Sequence, residues 1–201
     1  TDAGFSILKY NMNLTSGTFT IGHGLNSAPE LVIFKTLGTS NSSWIVYPND
    51  NSKILVLDST GAASSGSSYW NSASPTSTVI NMGTGWTSNH TYYAGDTIAY
   101  AFHSVDGFSK IGSYTGNGST NGPIVETGFE PAFVMVKNTT TAGYLWLIAD
   151  NKRQTDRLKT TYLQANSNAA EYSPYTWIEF FSNGFQLKNT GSSLNANGDT
   201  Y

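Results

Sequence analysis

Short runs of β-branched and aromatic residues alternate along the chain with clusters of Gly, Ser and Asn. Runs of this kind are typical of β-strands, and the small polar clusters between them are typical of turns and loops. The longest clusters lie at 38–42, 59–68, 115–122 and 189–197, and none of them has a helical period. The pattern therefore predicts an all-β protein.

The predicted strands are short and closely spaced. In the first half of the chain they are 5–10, 17–21, 30–35, 43–47, 53–57, 77–82 and 97–102. In the second half they are 108–114, 123–127, 132–137, 144–148, 157–163, 176–181, 184–188 and a run that begins at 200. About seven strands per hundred residues is typical of a β-sandwich or jelly roll. The continuous apolar runs Leu31–Phe34 and Phe133–Val136 predict strands that are buried on both faces.

Four blocks of sequence recur in one order at a nearly constant spacing. The matched blocks are Gly4-Phe5-Ser6 with Gly107-Phe108-Ser109, Pro29–Lys35 with Pro131–Lys137, Trp44-Ile45-Val46 with Trp146-Leu147-Ile148, and Gly95-Asp96-Thr97 with Gly198-Asp199-Thr200. Their offsets are 103, 102, 102 and 103 residues. The sequence therefore predicts two tandem β-sandwich modules of jelly-roll type, at 1–104 and 105–201. Pro29 and Pro131 are expected at equivalent turns, and Lys35 and Lys137 at equivalent strand ends.

The first repeat closes with the β-type run Thr97–Phe102, whereas the second reaches only Thr200-Tyr201. We therefore expect the sequence to lack the last strand of its second module. A free sheet edge at that position would be costly, so the polypeptide is expected to continue or another segment to fill the gap. Because the sequence begins at Thr1, a processed product or a fragment is expected.

Charged residues make up only 11% of the chain, against about 25% in a typical globular domain. The net charge is −3, and the densest basic group, which consists of Lys152, Arg153, Arg157 and Lys159, is interpreted as a solvated loop. This balance argues against nucleic acid as a partner. There is no cysteine, and no apolar run approaches the roughly 18 residues of a membrane span. Membrane insertion and Cys-based metal sites are therefore not expected.

Several segments resemble a poorly characterised repeat domain of phage virion and tail-fibre-like proteins, of a type found in marine phages. The matching segments are Gly107–Lys110, Tyr114–Gly118, Gly128–Lys137, Trp146, Ser182–Phe185, His23–Leu25, Pro29, Lys35, Trp44 and Ala73–Thr78. The resemblance covers nearly the whole chain and implies a place in a virion. Its motifs are turn and core signatures, so it carries over no catalytic residues and no cofactor.

The residues themselves predict no catalytic or metal site. His23 is interpreted as a turn residue that bonds local backbone, and neither His90 nor His103 has metal-ligand spacing. Asp96 and Asp199 occupy the same repeat position and are interpreted as turn acceptors rather than a glycosidase pair. The chain is therefore predicted not to be an enzyme.

Some aromatic residues occur at matching positions of both repeats, and others occur in one repeat only. Trp44 and Trp146 match, so they are predicted to be core residues. Six further rings lie in loop-rich, unrepeated segments, where exposed rings could stack on sugars. The candidate carbohydrate-binding residues are Trp70, Trp86, Tyr92, Tyr93, Tyr172 and Tyr175.

These observations favour a non-enzymatic exterior part of a phage particle, in a tail fibre, head fibre or decoration, with a structural or host-recognition role. The expected partners are copies of the chain itself, as a trimer or an array, other virion proteins and a host surface glycan. The absence of cysteine suits a protein that folds in a reducing host cytoplasm before release. The alternatives are a carbohydrate-binding adhesin module of a secreted or cell-surface protein and a fragment of a polysaccharide-degrading tailspike.

Overall fold

A computed structural model describes residues 2–38, 41–153 and 160–201, with the backbone alone at 90, 160 and 173–175. The chain forms two compact units. The first comprises Thr1–Leu57 and Ala63–Ile111, and the second comprises Asp58–Ala62 and Gly112–Tyr201. The division between the units thus falls after residue 111, whereas the repeats predict a boundary after residue 104. In the second unit, the carbonyl oxygen of Thr60 accepts a hydrogen bond of 2.8 Å from the N–H of Gly143.

The first unit contains eight of the strands and two short helices. The strands are β1 Phe5–Met12, β2 Phe19–Gly22, β3 Leu31–Thr36, β4 Ile45–Tyr47, β5 Lys53–Val56, β6 Ser64–Ser65, β7 Val79–Met82 and β8 Gly95–Phe102. The helices are α1 Thr84–Ser88 and α2 His90–Tyr93. An antiparallel sheet has the order β1-β8-β3-β4-β5-β6, and β2 pairs with β7 in a second, two-stranded sheet.

Side chains of β3 alternate between the core and the outer face of the large sheet. Val32 and Phe34 are fully buried, whereas Leu31, Ile33 and Lys35 are half-buried. The prediction of strands buried on both faces is therefore wrong for this strand. A continuous apolar run cannot by itself distinguish a strand covered twice from one that leaves an apolar outer face half open.

The second unit contains the remaining strands of the described chain. They are β9 Ile124–Glu126, β10 Phe133–Val136, β11 Leu147–Asp150, β12 Thr160–Gln164, β13 Tyr172–Tyr175, β14 Ile178–Phe181 and β15 Gly184–Leu187. They form an antiparallel sheet in the order β10-β11-β12-β13 and a second one in the order β14-β15-β9. Phe133 at the start of β10 is 59% exposed, so the prediction of a strand buried on both faces is also wrong here.

The end of the sequence pairs with two neighbouring segments of the second unit. Thr200 forms a β-bridge with Thr115, and the backbones of Tyr114 and Tyr201 exchange two hydrogen bonds. On the other side, the carbonyl oxygen of Thr200 accepts a hydrogen bond of 2.9 Å from the N–H of Thr139, three residues after the end of β10. In the first unit β8 lies in the same way between β1 and β3, and the N–H of Leu37 bonds the carbonyl oxygen of Asp96.

Most predicted strands are confirmed within a few residues, but four segments differ, one of which is β6 at Ser64–Ser65, in a cluster that was interpreted as a loop. Residues 108–114 do not form the predicted strand, because Gly107 has a φ of 73° and begins a turn in which Phe108 and Ser109 donate to the carbonyl oxygen of Val105. Strand β13 and the two helices were not predicted, since their polar composition suggested loops. The predicted strand 157–163 begins outside the described residues. Neither helix is long and apolar enough to cross a membrane.

Candidate functional site

Three of the six candidate sugar-binding rings lie in the core of the first unit. Trp70 and Trp86 are each 1% exposed and Tyr93 is 8% exposed, so the prediction that they are accessible is wrong. Both indoles pack against Phe34, with ring centroids 5.7 Å and 5.1 Å away. Their Nε1–H groups donate to backbone carbonyl oxygens, that of Lys53 at 2.7 Å for Trp70 and that of Tyr69 at 3.1 Å for Trp86.

Glycines explain why a Ser- and Gly-rich segment buries large rings. A Cβ at Gly66 would lie 2.3 Å from the backbone of Lys53, and one at Gly83 would lie 2.0 Å from the carbonyl oxygen of Ser68. Chain segments can approach this closely only where a residue has no side chain. The close approach packs the loops against the aromatic core instead of leaving them in solvent.

The two repeated tryptophans differ in their burial. Trp146 is 4% exposed, which confirms its prediction as a core residue. Trp44 is only half-buried, and the ammonium group of Lys35 lies 5.6 Å from its ring centroid. Lys35 also donates to the carbonyl oxygen of Ser42, whereas Lys137 is buried and donates to the carbonyl oxygen of Asn138 at 2.8 Å.

Two candidate rings are accessible. Tyr92, in α2, is 50% exposed, and Tyr172, in β13, is 46% exposed. The side chain of Tyr175 lies outside the described residues. Tyr172 stacks on Tyr162, with centroids 4.7 Å apart and an angle of 9° between the rings. Because Tyr162 covers one face of Tyr172, the opposite face is the one a ligand could use.

An ion-paired arginine follows β11 in the second unit. The guanidinium of Arg153 contacts the carboxylates of Asp150 and Glu171, in each case at 2.6 Å. Partial burial tends to raise the pKa of the Asp150 carboxyl, but the N–H groups of Lys152 and Arg153 and the Arg153 charge outweigh it and lower that pKa. Asp150 is therefore ionised near neutral pH. The predicted basic cluster is in part an ion-pair network, and its members Arg157 and Lys159 lie outside the described residues.

A polar groove that sequence analysis did not predict lies in the second unit. Its volume is about 570 Å³. The groove is lined by Thr120, Asn121, Thr176, Lys188, Asn189 and Thr190. These residues come from three separate segments of the chain, so no local motif identifies them. The clusters 115–122 and 189–197 were interpreted only as loops.

The side-chain amides of Asn121 and Asn189 each accept a hydrogen bond through the oxygen atom, which fixes the orientation of the amide. Asn121 Oδ1 accepts from Gln186 Nε2 at 3.0 Å, and Asn189 Oδ1 accepts from the N–H of Gly191. No described residue accepts a hydrogen bond from the Nδ2 group of either amide. Lys188 Nζ lies 3.1 Å from Gln186 Oε1 and 3.4 Å from a carboxylate oxygen of Glu179. The groove thus combines oriented N–H donors with a partly neutralised ammonium group.

The buried amide of Asn195 holds the loops that form the groove. Its Nδ2 donates to the carbonyl oxygens of Ser119 and Asn189, in each case at 2.8 Å, and its Oδ1 accepts from the N–H of Asn117 at 2.8 Å. Asn195 is fully buried. The two loops are therefore tied to each other through one side chain.

His23 bonds backbone through both ring nitrogens, which confirms the prediction of a structural role. Nδ1 accepts from the N–H of Leu25 at 3.1 Å, and Nε2 donates to the carbonyl oxygen of Thr76 at 3.1 Å. Burial lowers the pKa of His23, and the nearby His103 lowers it further. His103 in turn contacts the carbonyl oxygen of Ser104 at 2.8 Å and the side chain of Asn26 at 2.9 Å.

The two repeated aspartates accept hydrogen bonds from side chains. Asp96 bonds Lys9 at 2.6 Å and Asn11 at 2.7 Å, and Asp199 accepts from Asn138 Nδ2 at 2.8 Å. The interpretation as acceptors of turn N–H groups is therefore wrong, because their partners lie on neighbouring strands and loops. Among the described residues, no three His, Cys, Asp or Glu side chains are grouped so that they could hold a metal ion.

Comparison with known proteins places the chain in a family of unknown function. The model of a domain of unknown function, DUF7483, matches residues 1–201, so the chain belongs to that family. No curated protein and no solved structure matches the chain. The site must therefore be interpreted from its own geometry.

Replacement of Trp86 by Ala should destabilise the first unit. The change leaves a cavity in the core and removes the donor to the carbonyl oxygen of Tyr69, so we expect a loss of about 3–5 kcal/mol in the free energy of unfolding. Tyr92→Ala is the matched control and should change it by less than about 0.5 kcal/mol. Urea unfolding followed by tryptophan fluorescence measures both. Equal effects of the two substitutions would contradict the assignment of Trp86 to the core.

His23 should make the first unit less stable in mild acid. Its folded pKa lies below the ordinary value of 6.5, so below that pH the unfolded chain binds more protons than the folded one. The free energy of unfolding should therefore be level above about pH 6.5 and fall as the pH decreases further. His23→Gln keeps a neutral polar side chain and should flatten this decrease in urea titrations at several pH values. An unchanged pH dependence in the variant would exclude His23 as its source.

Proposed function

We propose that this member of the DUF7483 family is a non-enzymatic exterior component of a phage particle, in a tail fibre, head fibre or decoration, that contacts the host surface. The location is supported by the resemblance to virion proteins. The observation that carries the recognition role is the 46% exposed ring of Tyr172, which is stacked on Tyr162. An exposed aromatic ring can stack on the face of a sugar.

The ion pairs of Arg153 also favour binding over hydrolysis. A glycosidase needs one carboxyl group that stays protonated to act as an acid. Asp150 is held in its ionised form by Arg153 and by neighbouring N–H groups, so it is unsuited to that role. A surface that binds a glycan without cleaving it is consistent with this arrangement.

We infer further that the two units are copies of one β-sandwich module of jelly-roll type. Support comes from the shared strand neighbourhoods: β8 between β1 and β3 in one unit, and Thr200 between Thr115 and Thr139 in the other. The pairs β2–β7 and β9–β15 are both antiparallel and lie outside the larger sheet of their unit. Both prolines before β3 and β10 are buried.

The chain is also proposed to assemble with copies of itself, as a trimer or an array. Phe133 and Leu163 are 59% and 38% exposed, and the half-buried Met135 and Ile148 lie between them in the strand register. Tyr162 precedes Leu163 in β12 and points to the opposite face of the sheet, so this apolar row is separate from the Tyr172 surface. Low charge favours contact between identical surfaces, because few ions must be desolvated.

Light scattering at micromolar concentration should therefore give a mass above that of one chain. Phe133→Asp introduces a charge into the row and should shift the chain toward the monomer, because a buried unpaired charge is costly. Ile124→Asp is the matched control, since Ile124 is similarly exposed at 58% but lies in the other sheet. A wild-type chain that remains strictly monomeric would refute self-association.

The proposed function predicts that the chain is present on the outside of purified particles. Mass spectrometry should detect it there, and a gold-labelled antibody should locate it on the exterior by electron microscopy. Its absence from particles, together with secretion from a cell, would favour the adhesin alternative.

Purified chain should also compete with particles for host cells. Tyr172→Ala should weaken this competition by about fivefold, since one stacking contact contributes on the order of 1 kcal/mol. Tyr172→Phe keeps the ring and should compete as well as the wild type. Competition that is unaffected by Tyr172→Ala would remove this surface from host recognition.

A further inference from the structure

We propose that the polar groove of the second unit is a binding site for an acidic saccharide, one that contains uronic acid residues. The groove is defined by Thr120, Asn121, Thr176, Lys188, Asn189 and Thr190. The inference rests on the proposed recognition function and adds a second site to it, separate from Tyr172, with a stated class of ligand.

The orientation of the two groove amides is the first argument. A side-chain amide has one acceptor oxygen and one NH₂ group with two donors. Gln186 and the N–H of Gly191 occupy the oxygens of Asn121 and Asn189. Each amide is thereby fixed with its NH₂ group as the end available to a ligand. Acceptor groups, such as carboxylate and ring or hydroxyl oxygens, are their natural partners.

The ammonium group of Lys188 is the second argument. It has three N–H donors, and its contacts with Gln186 at 3.1 Å and Glu179 at 3.4 Å account for two of them. The contact with Glu179 is long for a hydrogen bond. A ligand carboxylate could take the remaining donor while Glu179 keeps the local charge nearly balanced without a ligand. The site therefore distinguishes acidic from neutral saccharides through hydrogen bonds to its donors more than through a net positive charge.

The shape and the rigidity of the groove are the third argument. A volume of about 570 Å³ is in the range of ligand sites in proteins, and threonines supply both hydroxyl and methyl groups along the wall. Asn195 ties the loops 117–119 and 189 through three hydrogen bonds of 2.8 Å. Because these loops are already ordered, a ligand would not have to supply the free energy of ordering them.

Binding of tetragalacturonate to the whole chain, measured by titration calorimetry, tests the proposal, with the fully methyl-esterified tetrasaccharide as the neutral probe. The acid form should bind, the ester should bind about tenfold more weakly or worse, and rising salt should weaken the acid form. Equal binding of the two forms would overturn the acidic class, and no binding of either would overturn the site.

Asn189→Asp is the decisive variant, because it keeps the Oδ1 that accepts from Gly191 and replaces the donor NH₂ with a negative oxygen. It should weaken tetragalacturonate binding by about tenfold or more. Asn183→Asp carries the same charge change at an exposed turn of the same unit and should stay within about twofold of the wild type. Equal losses in both variants would indicate a long-range effect of net charge and would overturn the groove assignment.

The two proposals can fail separately. Loss of host competition in Tyr172→Ala with intact tetragalacturonate binding would leave the groove site in place. Conversely, a chain that is present on particles and competes for host cells, but has no affinity for tetragalacturonate, would retain the proposed function and lose the groove.

Discussion

The buried amide of Asn195 is the interaction on which the surface of the second unit depends. An uncompensated amide inside a protein costs roughly 1–3 kcal/mol, so its position is stable only while its partners remain in place. Those partners are backbone groups of Asn117, Ser119 and Asn189, from two loops far apart in sequence. The requirement that the buried Asn195 amide keep its partners thus fixes the geometry of both loops. The donor groups that line the groove are positioned by these loops.

In the first unit, the side chains that bond the backbone of neighbouring segments are the indoles of two tryptophans. Trp70 and Trp86 donate to two backbone carbonyl oxygens, that of Lys53 at the start of β5 and that of Tyr69 in the loop between β6 and β7. A tryptophan adds a large apolar area to its single donor, so these residues also form the centre of the core. Trp70 and Trp86 of the first unit therefore stabilise its core, whereas Tyr172 of the second unit is accessible at the surface.

The sequence predicted the strands well and the sites poorly, for a physical reason. Strand positions follow from local β-branched and aromatic runs, and β3, β4, β10 and β11 lie where the repeated blocks indicate. Exposure of a loop ring depends on tertiary contacts. Composition around Trp86 suggested a solvated loop, but Gly83 allows an approach to Ser68 that closes it. The signal that could have been used was the presence of Gly66, Gly83 and Gly85 beside the unrepeated tryptophans.

The groove could not have been predicted, because its residues come together only when three segments fold. What the sequence did indicate was a scarcity of charge, and this bears on how a ligand would be selected. The described acids near the two candidate surfaces are paired, Glu179 with Lys188 and both Asp150 and Glu171 with Arg153. A ligand would therefore meet a weak long-range field and be discriminated at contact. Such sites bind weakly one at a time, so recognition would require many copies acting together. Self-association through the Phe133 row would supply those copies, so the proposed assembly would also serve the proposed recognition.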